Sequence, residues 1–289
     1  MARVSEIFRS IQGEGKYTGV TSLWVRFWGC SLQCRGFGQD HPTKPETWEN
    51  QADLININEI KTLEDLPIFT KGCDSDYSVS KKFRDLCPNL SAEEVVETLI
   101  ELGLTEYDNF LQSEQHLCFT GGEPMLKQKA MIDILTLLNE QGKMPKNVTV
   151  ETNGTREISV ELYDFIQEHY SYKDTEWFWS VSPKLWTVAG EKQERAIKPE
   201  IVNGYMKASN HGQLKPVLGT KEEQWQELKT VIARYHFACI EWPVYIMAVG
   251  ATDEDQNVIA KEVCERAMDS GYNFSARVHC QIFGNEINR

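Results

Sequence analysis

The sequence predicts an α/β protein built on a mainly parallel sheet, and three observations carry that expectation. Strand-like segments rich in aromatic and branched residues alternate with amphipathic helical segments, the pattern of strand–helix–strand units with right-handed crossovers. A length of 289 residues is enough for one large domain with a full core. The chemically unusual residues also fall just past the ends of predicted strands: Cys30, Gly121 to Glu123, Glu151 to Asn153, and Ser182 to Lys184. In parallel sheets ligands gather at those carboxyl ends.

Taken in order, Ser22 to Trp28 reads as the first strand, with Gly29 ending it before Cys30. Between about Arg35 and Gly72 the character changes to a polar stretch punctuated by Pro42, Pro45 and Pro67. A structureless loop of that length is unusual, so residues 36–72 are read as an insertion with some structure of its own. Ser91 and Glu94 form a capping box ahead of Val95, Val96, Leu99 and Ile100. His116 to Thr120 is an apolar strand, followed by a helix over about 127–140, a strand at Val148 to Val150, a helix over 160–169 and a strand over 177–181. The remainder repeats the theme: a strand near Tyr205 to Ala208, a helix over 221–235, a strand over 243–249, a helix over 255–270 and a strand over 275–283.

Apolar content of 41% and charged content of 25% are those of an ordinary globular chain. A formal charge of −13 argues against a phosphate-backbone binder, so no direct contact with nucleic acid is expected. No apolar run reaches membrane-span length and Met1 to Ser10 lacks a signal-peptide core, so a cytoplasmic protein without a membrane partner is expected. Eight cysteines are many for a reducing compartment. Cys118, Cys239, Cys264 and Cys280 lie in or beside predicted elements and read as small core residues.

Two motifs carry chemistry. Cys30 and Cys34, on a loop after a strand, can reach one metal centre; a buried pair or half of a zinc site is the alternative. A cubane with one open iron needs three such thiolates. In Thr120-Gly121-Gly122-Glu123-Pro124 the glycines admit a ligand close to the backbone, and the carboxylate can accept from an ammonium group. A plain strand-to-helix turn is the alternative there.

Together these motifs resemble the radical S-adenosylmethionine superfamily. Within it, Glu6-Ile7-Phe8, Gln12-Gly13-Glu14-Gly15, Val25-Arg26-Phe27, Val150 to Thr155 and Val181-Ser182-Pro183-Lys184 resemble the 7-carboxy-7-deazaguanine synthases of the queuosine pathway. The resemblance covers residues 6 to 184 and implies a fold: a partial, incomplete TIM-like barrel of about six mainly parallel strands, as a single domain over 1–289. It implies a reaction too, contraction of 6-carboxy-5,6,7,8-tetrahydropterin to 7-carboxy-7-deazaguanine with loss of ammonia. The implied cofactors are a 4Fe–4S cluster, S-adenosylmethionine and magnesium, with an electron donor such as flavodoxin or ferredoxin and a homodimer as partners. Carried over by position, Gly72, Asp74, Gly121, Gly122, Glu123, Asn153, Ser182, Pro183 and Lys184 would contact S-adenosylmethionine. Ile11, Gln12, Gly13, Glu14 and Thr120 would line the pterin site, with Arg26 on the substrate carboxylate; a surface ion pair is the alternative for Arg26.

The chain departs from the pattern at Phe37, where the superfamily has its third cysteine. The residues that usually follow that cysteine reappear around Cys73-Asp74-Ser75, so Cys73 is the expected third cluster ligand and Ser75 the magnesium ligand. Cys87, or no third ligand, is the alternative to Cys73, and a turn-forming serine the alternative for Ser75. Two other functions stay open: an activase that installs a glycyl radical in a partner enzyme, and a binding protein that has lost the cluster.

Overall fold

In a computed structural model of the chain, which describes residues 1–103, 114–172, 174–284 and 286–288, a long first strand precedes the predicted one. This strand, β1 (Ala2–Ile11), alternates buried and half-buried side chains and pairs antiparallel with β2 (Thr21–Phe27). Short β3 (Asn89–Leu90) adds to its outer edge. From β2 onward the sheet is parallel, through β4 (His116–Gly121), β5 (Asn147–Thr152), β6 (Glu176–Val181) and β7 (Gly212–Leu214). A second parallel sheet of β8 (Val217–Leu218), β9 (Tyr245–Ala248) and β10 (Asn273–Phe274) joins it through a bridge between Leu214 and Val244. Among the described residues no ladder joins β10 to β1, so the curved sheet stays open there. There the Val278 amide donates to the Gly13 carbonyl (2.9 Å), so loops rather than a ladder span the gap. This is a partial barrel with a mainly parallel sheet.

The two-residue period of the strands separates its faces. Leu23, Val25, Phe27, Leu117, Phe119, Val148, Val150, Trp177 and Trp179 join the main core, against Val95, Val96 and Leu99 of the helix Ala92–Gly103 and Met131, Ile134 and Leu135 of the helix Gln128–Glu140. The other face carries Trp24 and Cys118, packed with Phe8 apart from that core, and the polar residues Arg26, Thr120, Glu151 and Ser182. Parallel register sets Arg26 opposite Thr120 and Glu151 opposite Ser180. The capping box is present: the Ser91 amide donates to Glu94 (2.7 Å) and the Glu94 amide to Ser91 Oγ (3.2 Å).

Residues 36–72 form short 3-10 and α turns, at 45–47, 51–54, 57–59 and 63–65, without a strand. Their apolar residues Ala52, Leu63 and Phe69 build a small core of their own with Tyr77, Phe83 and Cys87.

Two expected strands are helices. Tyr205 to Ala208 ends the helix Pro199–Ala208, whose buried Val202, Tyr205 and Ala208 follow a helical spacing behind Pro199 in the first turn. In the segment expected as a strand over 275–283, the helix Val278–Phe283 takes over, and β10 ends at Phe274. Cys239 is exposed rather than a core residue, whereas Cys118 and Cys280 are buried. Among the described residues, no helix is long and apolar enough to cross a membrane.

Candidate active site

A cavity of about 270 Å³ opens at the carboxyl ends of the parallel strands and reaches down their polar face. One wall is the loop after β2. Gly29 and Cys34 both take positive φ, and Cys34, at +51°, is an uncommon conformation for a residue with a side chain. Buried Glu191 holds it there, accepting the amides of Gln33 (2.7 Å) and Cys34 (2.8 Å) on one carboxylate oxygen. The turn after β4 backs the same loop. A side chain at Gly122 would run into the Gly29 carbonyl and Cys30, which is why glycine stands there.

Cys30, Cys34 and Cys73 are free thiols on this wall. The polar stretch leaves it and returns to it: the Gly72 amide donates to the Phe37 carbonyl (2.8 Å), so Cys73 re-enters beside the loop that carries Cys34. Burial, with Glu123 nearby, pushes the Cys30 thiol up to about 11. Burial also pushes the Cys34 and Cys73 thiols well above the ordinary thiol value, Asp74 and Cys30 adding to the effect at Cys73. Three thiols so costly to ionise alone are a donor set suited to a cationic iron centre, which would supply the missing positive charge. Among the described residues no group of three or more His, Cys, Asp or Glu is gathered closely enough for a single metal ion. A cubane makes a different demand, because each thiolate binds its own iron. Cys87 is in the small core, its thiol directed to the Tyr77 and Phe83 carbonyls, and does not line the cavity.

The other wall is ionic. Lys215, 2% exposed, donates to Glu14 (2.5 Å) and Glu151 (2.8 Å). Arg277 joins Glu14 (2.9 Å) to Asp74 (2.9 Å), and Gln12 donates to Glu151 (3.0 Å). Burial alone would raise the Glu14 carboxyl, but Lys215 and Arg277 outweigh it and hold it well below the usual carboxylate range. At Asp74 burial is likewise outweighed, mainly by Arg277, and the carboxyl is lowered. Arg26 pairs with buried Glu6 (2.5 Å), which also accepts from Tyr77 (2.7 Å), and reaches Ser75 Oγ at 3.4 Å. Ser75 in turn donates to Asp74 (3.3 Å).

Of the residues singled out from the sequence, Ile11 to Glu14, Arg26, Cys30, Cys34, Gly72 to Ser75, Thr120 to Gly122, Asn153, Ser182 and Lys184 all line this cavity. Glu123 and Pro183 do not. The Glu123 carboxylate is fully buried beneath the turn and accepts from Thr152 Oγ1 (2.6 Å) and the amides of Asn153 (2.8 Å) and Met125 (3.0 Å), so it fastens β4 to β5. Lys215, Arg277, His279 and Glu191 went unnoticed in the sequence. Lys215 directly follows β7 and Arg277 lies soon after β10, so the strand-end rule holds for them too. It could not flag them from the sequence, which suggests strands over 205–208 and 275–283 instead.

Similarity to known proteins follows the same outline. No protein-family model matches the chain. The 7-carboxy-7-deazaguanine synthase of Halobacterium salinarum is 24% identical over 97% of this chain and 90% of its own length. That of Buchnera aphidicola is 27% identical over 56% of this chain and 59% of its own. The chain is similar to the 7-carboxy-7-deazaguanine synthases. The solved structure of QueE from Escherichia coli matches 96% of this chain and 94% of its own, with a TM-score of 0.53 at 19% identity, and so shares its fold. Similarity to the Halobacterium salinarum synthase thus extends into the last third of the chain, where the sequence motifs fall silent and where Lys215 and Arg277 stand.

Proposed function

We propose that the chain is a radical S-adenosylmethionine enzyme that contracts 6-carboxy-5,6,7,8-tetrahydropterin to 7-carboxy-7-deazaguanine with loss of ammonia. The observation that carries this reading is the meeting of Cys30, Cys34 and Cys73 with Gln12 to Glu14 and the Gly121–Gly122 turn in one cavity. Cys30, Cys34 and Cys73 would hold a 4Fe–4S cluster. When bound, the cluster and S-adenosylmethionine supply the hydrogen abstraction, so no side chain need be a strong acid or nucleophile.

The chain's own residues bind, orient and screen. Gly72, Asp74, Gly121, Gly122, Asn153, Ser182 and Lys184 border the S-adenosylmethionine position, with Glu123 and Pro183 supporting it from behind. Ile11 to Glu14 and Thr120 face the pterin, and Arg26 takes its carboxylate with a planar fork suited to a planar anion. Lys215 and Arg277 keep Glu14 ionised, so it accepts from the pterin's N–H groups rather than donating. Ser75 would offer a hydroxyl to magnesium, a weak site without substrate oxygens. A low-potential protein reductant and a second copy of the chain complete the assembly.

The test is anaerobic incubation of reconstituted protein with S-adenosylmethionine, reductant and the carboxytetrahydropterin, read by mass spectrometry. Substrate-dependent formation of 7-carboxy-7-deazaguanine is expected. A protein that reconstitutes a cluster and leaves the pterin untouched would refute the reaction. Turnover of the free pterin with no partner protein also separates this reading from a glycyl-radical activase.

A further inference from the structure

Phe37 sits at a junction. Its amide donates to the Cys34 carbonyl (3.3 Å) and its carbonyl accepts from the Gly72 amide (2.8 Å), so one residue bridges the chain before and after the polar excursion. The ring packs against the main core and lines the cavity beside Cys34 and Cys73. Above it lies the Lys184 ammonium, 5.6 Å from the ring centroid, which also donates to Ser182 Oγ at 2.8 Å. Because the third thiol comes from Cys73, position 37 is released from metal binding and can carry an apolar side chain with other work.

An ammonium has three N–H donors and accepts nothing. Ser182 takes one, and the negative face of the Phe37 ring attracts the charge without consuming a hydrogen bond. A lysine so held loses less side-chain freedom when an anion arrives, which is the benefit of preorganisation. We propose that Phe37 is a positioning residue for Lys184: the ring and Ser182 together present the free part of the ammonium to the carboxylate of S-adenosylmethionine. This rests on the function proposed above and names a selectivity device within it.

The experiment compares the parent, Phe37→Leu, Phe37→Tyr and Lys184→Met after identical anaerobic reconstitution. Iron and sulfide are measured first. Equilibrium affinity is then measured for S-adenosylmethionine and for decarboxylated S-adenosylmethionine, which keeps the sulfonium and adenosine but lacks the carboxylate. Leucine fills much of the space but has no ring face. Phe37→Leu should therefore weaken S-adenosylmethionine by roughly 3- to 30-fold, the range of a cation–π contact, and leave the decarboxylated compound and the iron content unchanged. Phe37→Tyr should bind like the parent, and Lys184→Met should lose the preference for the carboxylate. Parental affinity in Phe37→Leu, equal weakening of both compounds, or loss of iron would each overturn the proposal, since the ring would then serve packing or the ligand loop. A parent that holds a cluster yet binds neither compound would instead refute the proposed function itself, and that outcome is read without any variant.

Discussion

Buried Lys215 bonds to two carboxylates, Glu14 and Glu151, that line the cavity and would otherwise face each other without a shared counter-charge. Breaking a buried ion pair from one side typically costs about 3–5 kcal/mol, because the remaining charge is left without compensation. Lys215→Met should therefore lower the free energy of unfolding by about that much in chemical denaturation, and Lys215→Arg by less. A loss below about 1 kcal/mol in Lys215→Met would mean that the carboxylates find other partners. Arg26 is a sharper case, since it has a structural partner in Glu6 and a proposed one in the substrate. Arg26→Ala should weaken substrate by about 2–5 kcal/mol, read as a higher KM, and should destabilise the fold by stranding Glu6. Adding Glu6→Gln should recover stability but not substrate affinity. Recovery of both would assign Arg26 to the fold alone. Neither role was fully visible beforehand. Arg26 stood out for its place before Cys30, whereas the partners of Lys215 lie 201 and 64 positions away, and no local pattern reports a contact of that kind.

The same contrast holds for whole elements. Strands with a nearly unbroken apolar run, such as β2, β4 and β6, were legible because both of their faces are covered. Strand β1, with a strict alternation of buried and half-buried residues, was missed because polar side chains take some of its buried places as well as half-buried ones. Nor were the segments near 205–208 and 278–283 legible. Short stretches mixing aromatic, branched and polar residues suit either period, and packing of Tyr205 and Cys280 into the core decided the matter. The polar stretch was legible as an excursion from its composition, and its return was expected at Gly72 because the residues after Cys73 resume the family's pattern. In the fold the Gly72 amide bonds to the Phe37 carbonyl. That bond brings Cys73 to the cavity wall while Cys87 stays in the small core. Cys73→Ala should abolish or strongly deplete cluster iron, sulfide and paramagnetic signal, whereas Cys87→Ala should retain them and cost about 1–3 kcal/mol of stability as a core truncation. A cluster lost in Cys87→Ala and kept in Cys73→Ala would reverse the assignment.

For the molecule as a whole, acid should be destabilising well before the carboxylates titrate. His116 is buried at the start of β4, with Nδ1 2.8 Å from Thr149 Oγ1, and burial lowers it to about 4 against the opposing effect of Glu176. The unfolded chain takes up that proton near the ordinary histidine value of 6.5 and the folded chain only near 4. Between those values the unfolded state holds more protons, so stability falls as pH falls, by roughly 3 kcal/mol for this residue. His279 is lowered to about 4 in the same way. Glu14 and Asp74, held low in the folded state, extend the loss further into acid. Urea midpoints should drop between pH 7 and 4.5, and His116→Gln should flatten that slope; an unchanged slope would show that His116 binds its proton equally in the folded and unfolded chain. A different consequence follows from the hydrogen bond that ties Gly72 to Phe37. It makes the number of residues between the second and third thiols irrelevant to where they stand, since closing a longer flexible loop adds only about 0.6 kcal/mol per doubling of its length. The intervening segment is thus free to lengthen, shorten or acquire a new surface over evolutionary time while the chemistry beneath it keeps its shape, and cysteine spacing counted along the chain is a poor ruler for sites built this way.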